Sequence, residues 1–102
     1  MENDLSIAKT ILSQLGGSGR LGAMIGAKDF VGASSGLSFR WTARAKNGAN
    51  RVSINLDADD LYWVVFYSVR GGKVTPKEDV TGVYAENLIP LFENVTGLAL
   101  RL

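Results

Sequence analysis

LYWVVFYSVR, residues 61–70, is the stretch on which the reading of this chain turns. Side chains of a strand alternate between its two faces, so Tyr62, Val64 and Phe66 point one way and Leu61, Trp63, Val65, Tyr67 and Val69 the other. Both sets are apolar. An antiparallel sheet with helices on one side ordinarily shows water a polar second face. The stripe Trp63, Val65, Tyr67 therefore calls for an occupant: a second copy or larger assembly, the glycine-rich segment or terminal LALRL of the same chain, or a different protein or nucleic acid, since exposed aromatic patches of this kind mark interfaces.

Two amphipathic strands are read upstream. In LSFRWTARA, residues 37–45, Leu37, Phe39, Trp41 and Ala43 alternate with Ser38, Arg40, Thr42 and Arg44. Lys46-Asn47-Gly48-Ala49 reads as a turn, because Asn-Gly tolerates positive φ. NRVSINLD, residues 50–57, then alternates Val52, Ile54 and Leu56 with Arg51, Ser53 and Asn55. Pairing the outer faces gathers Arg40, Arg44 and Arg51, with Lys46 nearby in the turn.

Helices are read at both ends. Residues 4–15, DLSIAKTILSQL, place Leu5, Ala8, Leu12 and Leu15 on one stripe, with Asn3 or Asp4 as cap and Gly16-Gly17 as stop. Near the C-terminus Tyr84, Leu88, Leu91, Phe92 and Val95 form a second stripe, ended by Gly97. Pro90 either kinks that helix or falls in its first turn. Residues 16–36 hold seven glycines and are read as a loop with a short helical turn near Leu21–Ile25. The segment 73–82, broken by Pro76, is read as a loop with a brief extended piece at Lys73–Thr75, and LALRL at 98–102 as a short terminal strand or a packed tail.

The expected fold is a single α+β domain over residues 1–102: a three-stranded antiparallel sheet with two helices packed on one face, in the order α-β-β-β-α, with a short C-terminal strand as an addition. A chain of 102 residues supports one core, and 46% apolar with 21% charged residues marks a folded protein. No apolar run approaches the roughly 20 residues of a membrane span, and the acidic start does not resemble a signal peptide. Without cysteine, disulfides and thiol chemistry are excluded, which suits a cytoplasmic setting.

The chain resembles a family of small uncharacterised bacteriophage and prophage proteins. The likeness rests on LGG at 15–17, MIGAKDF at 24–30, LSFRW at 37–41, NRVSINL at 50–56, DLYWVVF at 60–66 and GVYAENLIPLFENVTGL at 82–98. Ile25, where threonine is usual, and Trp63 and Val65 depart from the family pattern. The resemblance implies a phage or prophage setting in a bacterial host, not an activity. The element order also resembles the double-stranded RNA-binding fold, but VYAENLIPLF carries no lysine or arginine to straddle phosphates.

Chemistry narrows the function further. With neither histidine nor cysteine, no catalytic set, metal site or small-molecule cofactor is expected, and the chain is read as non-enzymatic. Asp57, Asp59 and Asp60 read as a turn lacking EF-hand spacing, and GGSGRLG matches no phosphate loop. Residues 1–51 carry seven basic against three acidic side chains and residues 52–102 four against seven, so the +1 total hides opposite halves. The expected function is protein binding, to a second copy or to a host or phage protein, through Trp63, Val65 and Tyr67. The alternative is a single-stranded nucleic-acid binder that uses Arg40, Arg44, Lys46 and Arg51 beside the aromatic rings.

Overall fold

The computed structural model describes residues 5–101. Helices α1 (Ser6–Gln14) and α2 (Ser18–Ile25) precede five strands, β1 (Lys28–Gly32), β2 (Gly36–Arg40), β3 (Arg51–Leu56), β4 (Tyr62–Arg70) and β5 (Lys73–Val83). A 3-10 turn, Ala85–Asn87, leads into α3 (Leu88–Thr96). The strands form one antiparallel sheet in sequence order, β1-β2-β3-β4-β5, so that each lies beside its chain neighbours.

The fold is α+β, but the expected three-stranded sheet with two helices in the order α-β-β-β-α is overturned: among the described residues there are five strands and three helices. The two unforeseen strands are the edges of the sheet. Each has one partner, so neither shows the period-two burial that reveals a strand in sequence. β5 is polar along most of its length and accommodates Pro76, whose missing N–H is tolerated at an edge. β1 is short and is bent by a bulge after Lys28, with Asp29 at a φ of +57°.

The glycine-rich stretch is mostly structured. α2 buries Leu21 and Ile25 and ends at Gly26, whose φ is +70°. The first read strand also stops early, at Arg40. The N–H groups of Thr42 and Ala43 donate to Ile25 O at 3.3 and 3.0 Å, drawing the chain off the sheet toward the end of α2. Asn47-Gly48 does form a turn, with Gly48 N–H on Ala45 O, but inside a longer connection rather than a tight hairpin.

One core lies between the sheet and the helices. Leu37, Phe39, Val52, Ile54, Tyr62, Val64 and Phe66 meet Ala8, Ile11 and Leu15 around α1, Leu21 and Ile25 of α2, and Leu88 and Phe92 of α3. Phe92 is its hub, with ring centroids 5.0 Å from Trp41, 5.7 Å from Phe66 and 6.3 Å from Phe39. Trp41 is 3% exposed and its indole N–H is buried without a hydrogen-bond partner, a cost of about 1–3 kcal/mol that burial of the ring offsets. Tyr62 Oη donates to Gln14 Oε1 at 3.0 Å and pins the end of α1 to β4. The caps read at Asn3 or Asp4 lie outside the described residues.

α3 starts at Leu88, which puts Pro90 in the first turn, where its missing N–H costs no helical hydrogen bond. The C-terminal strand is not formed among the described residues. The tail instead packs inward on Leu100, which is fully buried, and Glu93 holds it there. The Glu93 carboxylate accepts the Leu100 N–H at 2.9 Å and Arg101 Nη2 at 2.7 Å.

Those two donors, the Arg101 side chain foremost, hold the Glu93 carboxyl below its ordinary value of 4.5. Because the folded-state value is the depressed one, the stabilisation is complete above 4.5 and is lost as pH falls through the lowered value. Glu93→Gln is expected to lower the urea midpoint at neutral pH and to make its decline in acid shallower; parallel pH curves for the two proteins would refute this. A Cβ on Gly36 would lie 2.1 Å from the backbone oxygen of Ile54, whereas one on Gly19 of α2 meets nothing within 4 Å. Gly36→Ala is therefore expected to cost about 2–3 kcal/mol and Gly19→Ala to add about 0.5–1 kcal/mol, both read by urea denaturation.

Candidate protein interface on the open sheet face

Register and alternation define the side of the sheet away from the helices. One row across it runs Val31, Ser38, Ser53, Val65, Asp79; the next runs Arg40, Arg51, Tyr67, Pro76; Asn55 and Trp63 begin a third, and Val69 pairs with Val74. None of these side chains is buried. Trp63 is 45% exposed, and Val31 and Val74 are 60% exposed. Trp63, Val65 and Tyr67 thus share the uncovered face, with Val69 extending the stripe along β4. The glycine-rich segment and the C-terminal tail both pack on the other side, through Leu21, Ile25 and Leu100.

The face is polarised across its strands. On the β5 flank Asp79 accepts the Trp63 indole N–H at 2.6 Å, which fixes the ring over the edge strand. On the opposite flank Arg40 and Arg51 are cross-strand partners, and Arg40 is ion-paired with Asp29 of the β1 bulge. Arg51 has no ion-pair partner among the described residues, and its Nε is buried without a hydrogen bond.

Arg44 and Lys46 do not join them. Both lie in the connection after β2, where the Lys46 N–H donates to Thr96 O at 2.8 Å and the Lys46 stem lies against Gly97 at the end of α3. The basic group read from alternation therefore divides: Arg40 and Arg51 on the sheet, Arg44 and Lys46 beyond it. The signal that misled was unbroken alternation from Leu37 to Ala45, which the hydrogen bonds of Thr42 and Ala43 to α2 interrupt.

Asp79 and Val74 went unread because they sit on the edge strand β5. The acidic loop is a turn: Asp57 Oδ1 accepts the N–H groups of Asp59 and Leu61 at 2.8 and 3.1 Å. Among the described residues no three acidic side chains cluster to hold a metal ion. No helix among them is long and apolar enough to cross a membrane. Comparison of the chain with protein-family models, with curated proteins and with solved structures gave no match.

Proposed function

We propose that this is a non-enzymatic accessory protein of the phage type that works in the bacterial cytoplasm by docking protein on its open sheet face, its first partner being a second copy of itself. The observation that carries the reading is Trp63, nearly half exposed, held by Asp79 and continued by Val65, Tyr67 and Val69 on a face no helix covers. Burying such a stripe on its equal removes apolar surface from water on both partners.

The sheet edges are poor alternatives for association. β5 carries Pro76 with Lys73, Lys77, Glu78 and Asp79, and β1 is short and bulged, the devices that deter edge-to-edge pairing. A strand spacing near 4.8 Å over four strands gives a footprint of about 20 by 17 Å. That is small for a stable interface, so the affinity is expected in the micromolar range.

Nucleic acid fits this face less well. Asp29 neutralises Arg40, Asp79 sets a carboxylate beside the ring that would stack on a base, and Arg44 and Lys46 are elsewhere. Arg51 is the one cation left unpaired beside the rings among the described residues, and tracking a phosphate backbone takes several.

Light scattering over a concentration series is expected to show a mass rising to twice that of the monomer. Trp63→Ala should weaken the dimer by about 30-fold with an unchanged far-UV spectrum, because the side chain stands outside the core. A monomer at every concentration, or a dimer indifferent to Trp63→Ala, would overturn the reading.

A further inference from the structure

The self-docking reading leaves open how the two faces meet, and the charges decide it. We infer that the two-fold axis runs along β4, so that Arg51 of each copy reaches Asp79 of the other. This inference rests on self-docking through the open face and adds the orientation and the polar contacts that fix it.

Aligned face-to-face sheets can be related by a two-fold axis in the interface plane that lies either across the strands or along them. An axis across the strands lays β5 on its own copy and β3 on its own copy. Asp79 and Arg51 then each face the strand that carries their own copy instead of each other, and like charges brought together in a drying interface are costly. An axis along β4 exchanges the flanks, so β3 of one copy lies over β5 of the other. Trp63, Val65 and Tyr67 then meet their own counterparts along the axis.

The distances allow the polar contact. Asp79 belongs to the row of Ser53 and Val65, and Arg51 to the adjacent row of Tyr67. A two-residue offset and sheets roughly 10 Å apart separate their Cα atoms by about 12 Å, which an extended arginine and an aspartate span. The two residues also need what the other offers. Arg51 lacks an ion-pair partner among the described residues, while Asp79 is exposed and gives one oxygen to Trp63. Arg40, already paired with Asp29, does not compete.

The test is charge reversal in the full chain, with the dimer dissociation constant read by light scattering and folding by circular dichroism. Arg51→Glu alone and Asp79→Arg alone are each expected to weaken the dimer by about tenfold or more. The double variant, and an equimolar mixture of the two single variants, should return to within about threefold of the original value, since both restore opposite charges across the axis. Should either reversal unfold the chain, Arg51→Gln and Asp79→Asn serve instead, and contact across the axis requires their losses to be non-additive. Single variants as tight as the parent chain, a double variant as weak as the singles, or strictly additive neutral variants would overturn the inference. A dimer that needs Trp63 but ignores both charges leaves self-docking standing and removes only this orientation; a chain that is monomeric throughout removes both.

Discussion

The packing of Phe92 against Phe39, Trp41 and Phe66 is the contact on which the rest of the structure depends. It joins α3 to β2, to the start of the connection after β2, and to β4. Twenty-six residues of the chain lie between Phe39 and Phe66. Once α3 is seated, Glu93 on the same helix is positioned to draw in the tail, and Lys46 is held at the helix end through Thr96. The helices take one side of the sheet together, and the other side is left to water.

β4 then has to satisfy two neighbourhoods at once. Tyr62, Val64 and Phe66 belong to the core, while Trp63, Val65, Tyr67 and Val69 belong to the open face. A strand with only structural duties would carry threonine, serine or amide side chains on the second side, as β3 does with Ser53 and Asn55. The contrast between adjacent strands of one sheet is what separates a surface built for contact from a surface built for solvent.

That contrast was legible in the sequence because it rests on alternation in central strands, where burial on one side is strong. The inner face of β2, β3 and β4 and the stripe on β4 follow from it, while α1 and α3 follow from apolar residues three and four apart. Alternation loses its hold where burial is weak or where a hydrogen bond redirects the chain. Lys73–Val83 has one neighbour and little cover, so its residues carry no pattern, and Pro76 argues against a strand unless its edge position is known. Beyond Arg40 the residues keep alternating while the backbone leaves the sheet for Ile25, so Arg44 and Lys46 seemed to share a surface that they do not. Asp79 was hidden for the first reason, and with it the acidic flank that gives the open face its polarity.

The meander has a consequence for how the chain acquires its shape during synthesis. Each strand can pair with the one made just before it, so the sheet assembles by local steps. Phe92 and Leu100, which close the core, are made after the last strand. Until they arrive, Phe66 lacks its cover from α3 while the outer stripe of β4 is bare, on a sheet whose backbone is already paired, a sticky intermediate. The charged and proline-bearing edge strand β5, made between β4 and α3, flanks that intermediate at its growing end and keeps nascent sheets on neighbouring ribosomes from joining.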